Sequence, residues 1–275
     1  MEALRRYDCG LLHRSHSRQP KASPGLIVFV YTIVFQLDVM HLLDCKGVAA
    51  IAFGSLLCYM VTLPSLGPRV VDRLSRINRE RLKWIRAHPG EIHLPVIKES
   101  NLRKDGWGDL HGPAFKSTIT RHAAGFFKHL SNKFLILQTP EEQSMTRVLN
   151  NLYELYGMLW NSPRFLLQND LDELQRVCIQ FGEDWMRCRE FARLRNALLF
   201  NVTGKVHKTQ HIPAMAAIIN PAWVSCYAEE SLIGTTMKVW KQSQKGRWKR
   251  LIQKRVLLKR LCGLVLRLEG NCTDS

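Results

Sequence analysis

Residues 48–63 read VAAIAFGSLLCYMVTL, sixteen residues without a charge, with Lys46 before them and Pro64 and Arg69 after. A chain carrying such a stretch has to wrap it, in protein or in lipid. The composition suits a helix, and Pro64 sets its end. A membrane span needs about 20 apolar residues. The run is shorter than that and reads as a core helix, with a membrane-embedded helix as the alternative. A second run, LIVFVYTIVF at 26–35, is short, β-branched and aromatic. It follows Pro24-Gly25 and reads as a fully buried strand.

Most of the remaining chain carries helical patterning. After Pro68, the apolar residues Val71, Leu74, Ile77, Leu82 and Ile85 recur about once per turn, which predicts one buried helical face. Residues 89–113 hold Pro, Gly and Asp and read as loop. Residues 114–137 read as a helix that is basic on one side, with Lys116, Arg121 and Lys128. Thr139-Pro140-Glu141-Glu142 marks a helix start, with its acids in the first turn where the helix dipole favours them. Helices are expected over 141–160 and 165–200, broken at Ser162-Pro163. The second places Leu171, Leu174, Val177, Cys178, Phe181, Trp185 and Met186 at core spacing. A helix over 205–219 follows, then WVSCY (223–227), which alternates like a short buried strand. Another helix is expected from Glu229-Glu230 to about Ser243, and a last one spans about 247–268 after Gly246. The expectation is a mainly α protein with a few short strands. It has a flexible basic arm (1–24), a mostly helical domain (25–245) and a basic amphipathic helix with a tail (246–275).

Charge narrows the partners. Forty Lys and Arg stand against 23 Asp and Glu, a net +17, which favours polyanions such as nucleic acid or an acidic membrane surface. Between Ser231 and Leu268 there are eleven basic residues and no acid. There Lys249, Arg250, Lys254, Arg255, Lys259 and Arg260 recur beside Leu251, Ile252, Val256, Leu257 and Leu261. That pattern is a basic amphipathic helix, suited to phosphates, to an anionic membrane or to an acidic partner. The eight cysteines are scattered and form no CxxC pair, which points to buried free thiols in a reducing compartment. The polar, basic first 24 residues lack the apolar core of a signal peptide. An intracellular location, the nucleus above all, is expected, with a membrane location as the alternative. No phosphate-binding glycine loop, Ser-His-Asp signature or zinc-finger spacing supports a kinase, hydrolase or finger protein.

Three segments could carry chemistry. In QLDVMHLLD, Asp38, His41 and Asp44 stand at i, i+3 and i+6, a spacing that serves either a divalent metal or a plain helix start with Asp38 as cap and Asp44 exposed. In KVHKTQH, His207 and His211 stand at i and i+4, a usable metal-ligand pair or two structural histidines. Lys208 occupies the place of the glutamate in an HExxH protease, which disfavours that reading. In CYAEESLIG, Glu229 and Glu230 open a helix after a short strand.

The order of these pieces, strand, DVMHLLD, long helical stretch, KVHKTQH, strand and EESLIG, resembles the C-terminal half of the RNase H-like transposases of the Plavaka and Kyakuja-Dileera-Zisupton type, over residues 26–245. The resemblance implies a partial RNase H-like core with a large helical insertion. It makes Asp38 the second catalytic acid, with His41 the histidine after it. Glu230, four residues before Gly234, becomes the final acid, and His207 and His211 match the late histidine pair. Asp38, His41 and Glu230 would then hold Mg²⁺ or Mn²⁺. The family's first acid should stand upstream of residue 26, where this chain has the basic arm. The expectation is therefore a degenerate, transposon-derived protein that has lost catalysis and kept nucleic-acid binding. A membrane-attached protein, and a helical scaffold without an active site, are the competing readings.

Overall fold

The apolar run forms helix α1 (Val48–Met60), and all thirteen of its residues are buried. Among the described residues, Met40–Met60 is the one stretch long and apolar enough to cross a membrane, and 94% of its most apolar window is buried inside the protein. This computed structural model describes residues 38–44, 46–89, 94–104, 106–112, 114–115, 117–135 and 139–225. The chain divides into two units, 1–36 and 37–275, and every described residue belongs to the second.

A π-helical turn (Met40–Asp44) leads into α1. Then follow α2 (Val70–Ala87), a small hairpin of β1 (Arg103–Lys104) and β2 (Trp107–Gly108), α3 (Ser117–His122), α4 (Ala124–Phe134), α5 (Pro140–Trp160) and α6 (Gln168–Leu194). Two short helices, α7 (Gly204–Thr209) and α8 (Ile212–Ala216), precede a 3₁₀ turn at Pro221–Val224. The protein is mainly helical. The long helices α5 and α6 pack on each other, α4 lies against α5, and α1 touches α4, α5 and β2.

Local chemistry explains the boundaries. Pro64 starts a 3₁₀ turn, so α1 closes with Val61 N–H bonded to Leu57 O at 2.9 Å. Thr139 Oγ1 accepts the Glu142 N–H at 3.2 Å, and Pro140 takes the first helical position of α5. The helix expected over 114–137 is divided at Ala123, which keeps helical angles, into α3 and α4. The one expected over 205–219 is divided because Pro213 has no N–H with which to continue the ladder from Thr209.

Packing fills the centre with large side chains. Phe53 of α1 stacks on Phe127 of α4 with ring centroids 4.1 Å apart. Trp185 of α6 is fully buried between Phe181 and Phe200. Burying such a side chain contributes about 1.5–3 kcal/mol. Two polar tethers bind loops to α1. Ser55 Oγ donates to Gly108 O at 3.2 Å and accepts the Phe200 N–H at 2.8 Å, and Cys58 Sγ donates to Leu102 O at 3.1 Å. The described thiols Cys58, Cys178 and Cys188 are buried and free, and burial pushes Cys178 up to about 12.

Several expectations are corrected. The loop over 89–113 contains the β1–β2 hairpin, paired Arg103 to Gly108 and Lys104 to Trp107. WVSCY does not start as a buried strand. Pro221–Val224 turn as 3₁₀, and Trp223 is 63% exposed. Asn220 drives that turn: its Oδ1 accepts the Ala222 N–H at 3.0 Å, and its Nδ2 donates to Leu159 O at 2.8 Å. Val71 and Leu82 of α2 and Met186 of α6 face water. The buried stripes narrow to Leu74 and Ile77 in α2, and to Leu174, Val177, Cys178, Phe181 and Trp185 in α6. The strand expected at 26–35 and the helices expected beyond 228 lie outside the described residues.

Candidate functional site

The Asp38 segment forms a tight, capped turn. Asp38 Oδ1 accepts the Met40 N–H at 3.0 Å, and its carbonyl accepts the Leu42 N–H at 2.9 Å. Asp38 Oδ2 and His41 Nδ1 make a close contact, with His41 half-exposed. From α7, Lys205 Nζ donates to His41 O at 2.7 Å and to Lys46 O at 2.9 Å. A lysine 164 residues away thus latches the Asp38–His41 turn to the helix that carries the late histidine pair.

Metal ligation can be tested on this arrangement. Asp38 directs one carboxylate oxygen to Met40 and the other to His41. Among the described residues, no group of three or more His, Cys, Asp or Glu side chains could hold an ion. Glu230, and the row Lys249, Arg250, Lys254, Arg255, Lys259 and Arg260, lie outside the described residues. The described turn thus supplies Asp38 and His41, two of the three expected Mg²⁺ or Mn²⁺ ligands.

His207, in the last turn of α7, and His211, which caps α8, face each other. Their Nε2 atoms are 3.4 Å apart and their rings meet edge-on, with centroids at 5.0 Å. Both side chains are exposed.

Asp44, expected at the surface, is buried. Its Oδ1 accepts a close bond from the Tyr156 hydroxyl of α5, and its Oδ2 has no partner among the described residues. Burial pushes the Asp44 carboxyl well above the usual carboxylate range, and the Tyr156 bond and the Arg121 charge pull it partly back. Burial also raises the Tyr156 phenol, beside the Asp44 charge. An acid raised in the folded protein binds its proton more tightly there than in the unfolded chain. Its cost is absent below the unfolded value, grows as pH rises from there, and is complete above the folded value. Asp44→Asn keeps an acceptor for Tyr156 without the charge. From about pH 4 upward, urea midpoints of the variant should fall less with rising pH than those of the parent. Equal pH dependence would show that Asp44 is not held protonated by the fold.

Two further features escaped the sequence reading. One is a cleft of about 290 Å³ lined by Cys58, Tyr59, Thr62, Arg103, Arg195 and Leu198 among others. Arg195 is committed there, bonded to Glu141 at 2.6 Å and placed over the Tyr59 ring at 5.1 Å. Burial raises the Tyr59 phenol to about 12, with the Glu142 and Glu141 charges adding to it.

The other is the outer face of α2, where Arg76, Arg79, Lys83 and Arg86 are all exposed. Helical spacing alone could have found it, since these residues recur at three or four positions. Lys83 shares Glu80 with Lys133, at 2.9 and 2.6 Å, and Arg76 donates to Ser65 O at 3.0 Å. Burial alone would raise the Glu80 carboxyl, but the bonds from Lys133 and Lys83 outweigh it and hold the group below its ordinary range. Arg79 and Arg86 make no ion pair with a described residue.

Comparison with known proteins finds no matching family model, no matching curated protein and no matching solved structure.

Proposed function

We propose that this chain is a transposon-derived, transposase-like protein of the nucleus that binds nucleic acid through its cationic surface. The observation that carries the reading is the α2 face. Arg76, Arg79, Lys83 and Arg86 rise along about 15 Å of helix, the axial length of roughly four phosphates of one strand. The helix that presents them is anchored from behind. Asn78 donates to Ile97 O at 2.8 Å and accepts the Ile97 N–H at 3.0 Å, and Arg73 binds the carbonyls of Val61, Gly67 and Pro68. A helix held in this way keeps the spacing of its cations fixed along an extended polyanion, and their charge acts by releasing counterions.

The net +17 and the basic pattern at 249–260 support the same reading. The transposase-like order gains support from the Lys205 latch, which sets the Asp38–His41 turn beside the late histidine helix. A partial RNase H-like core remains part of this proposal. The fully buried surroundings of α1 favour a core helix over a membrane anchor.

Fluorescence anisotropy with duplex and single-stranded DNA, measured against salt, tests the reading. Affinity should fall linearly on a log–log plot. Replacing Arg79, Lys83 and Arg86 together by glutamine should flatten the slope by about 0.9 per lost phosphate contact, about 2.7 in all. Deleting residues 246–275 should flatten it further. No binding at low salt would remove the proposal. Extraction with alkaline carbonate would then separate a membrane-attached protein from a helical scaffold.

A further inference from the structure

The loop after α6 delivers a short helix, α7, a two-residue joint at Gln210 and His211, and then α8. Although Pro213 interrupts the ladder, the joint keeps helical advance. Gln210 N–H bonds His207 O and His211 N–H bonds Lys208 O, both at 3.1 Å. Both bonds span three residues, the 3₁₀ pattern, so the placement of the two rings, not α-helical spacing, brings the imidazoles of His207 and His211 together across the joint. Anchors flank the pair: Val206 is buried before His207 and Ile212 is buried after His211. Thr209, fully buried between them, donates its hydroxyl to Val206 O at 2.6 Å. The backbone is thus held by the core while both imidazoles reach water.

We infer that His207 and His211 form a two-histidine chelate for one divalent transition-metal ion of the copper, nickel or zinc class. Two nitrogens each about 2.0–2.1 Å from an ion stand about 3.3 Å apart at a tetrahedral centre and about 2.9 Å apart at neighbouring positions of a tetragonal one. The Nε2 atoms of His207 and His211 are 3.4 Å apart, within hydrogen-bond reach of each other. That spacing lies within about 0.5 Å of both values, so an ion need only turn the two rings slightly to close on it. Imidazole nitrogens without a carboxylate select copper, nickel and zinc over magnesium and manganese. This site is distinct in chemistry from the Asp38 turn and does not depend on nucleic-acid binding. Among the described residues no third protein ligand joins the pair, so the two histidines leave further coordination positions to other ligands. Lys208 is exposed beside the pair; its charge weakens the site, but salt screens it.

The test uses the full chain, freed of metal and titrated with Cu²⁺ or Ni²⁺ alone. Calorimetry should show one site of highest affinity. Losing a direct ligand should cost at least the roughly 100-fold that losing an outer-shell partner can cost. His207→Gln and His211→Gln should therefore each weaken that site by on the order of 100-fold, and the double variant, with neither imidazole left, should abolish it. Both side chains are exposed, so unchanged far-UV circular dichroism is expected for each variant. Electron paramagnetic resonance of the parent with one equivalent of Cu²⁺ should show two equatorial imidazole nitrogens and needs no variant. A single-imidazole signal, or the same affinity in parent and variants, would overturn the inference.

Discussion

Replacing Gly54 by alanine is expected to destabilise the protein by about 3 kcal/mol. Two effects oppose each other at this position. Alanine in a helix interior is favoured over glycine by about 1 kcal/mol, so propensity alone predicts a gain in the middle of α1. Packing predicts the reverse. A Cβ at residue 54 would stand 2.4 Å from Asp109 C and Leu110 N, and 2.5 Å from Asp109 Cα. All three are backbone atoms, and none can swing aside as the end of a side chain does. The segment is held there by the Leu110 N–H, which donates to Ala50 O at 2.9 Å. The added methyl group must push a bonded strand of chain off the helix, and that cost exceeds the gain in propensity. Thermal unfolding should fall by about 6–12 °C, at roughly 2–4 °C per kcal/mol for a domain of this size. An unchanged or raised melting temperature would mean that residues 109–110 do not lie against α1.

Trp185→Ala is expected to cost about 3–5 kcal/mol, enough to remove a large part of the stability of an ordinary domain. The side chain is fully buried, 5.5 Å from Phe200 in an edge-on contact and 5.5 Å from Phe181. Its removal leaves a void that α5 and α6, already packed along their length, have little freedom to fill. Trp185→Phe should behave differently. The indole Nε1–H is buried and finds no acceptor among the described residues, and an unmet buried donor costs about 1–3 kcal/mol. Phenylalanine loses some contact but also loses that donor, so its net effect should stay within about 1.5 kcal/mol. Urea denaturation of the two variants side by side checks the pair. Equal losses would show that the indole nitrogen is satisfied and that volume alone matters.

What could be read from the sequence was whatever depends on near neighbours. The charge-free run at 48–63 had to be enclosed, and α1 is. Thr139-Pro140 had to start a helix, and it does, through the hydroxyl bond to Glu142. The stripe from Leu174 to Trp185 had to face inward, and only its last expected member, Met186, does not. Illegible were the features decided by distant partners. Asp44 reads as a surface acid until Tyr156, 112 residues later, is placed over it. The β1–β2 hairpin has two-residue strands, too short for a periodic signal. It is held from outside by the Gly108 N–H bonded to Leu198 O at 2.8 Å and by Ser55. Trp223 alternates with its neighbours as a strand residue would, but Asn220 and Pro221 fix a turn first. At the candidate sites, spacing named His207 and His211 as a pair but could not give the approach of their Nε2 atoms. Arg76, Arg79, Lys83 and Arg86 obey the same helical spacing, on the face away from the apolar Leu74 and Ile77.

The hydroxyl of Ser55 joins α1 to Gly108 and to Phe200, partners 53 and 145 residues away. A protein so rich in helix would ordinarily assemble quickly from local contacts. Here the central helix finds its tethers far along the chain, and the loops between must close before those bonds can form. During synthesis α1 leaves the ribosome well before the residues that will enclose it, and for that interval it is an exposed apolar segment open to self-association. The helix at the centre of the finished fold is therefore also an apolar segment that the nascent chain must keep covered until its partners emerge.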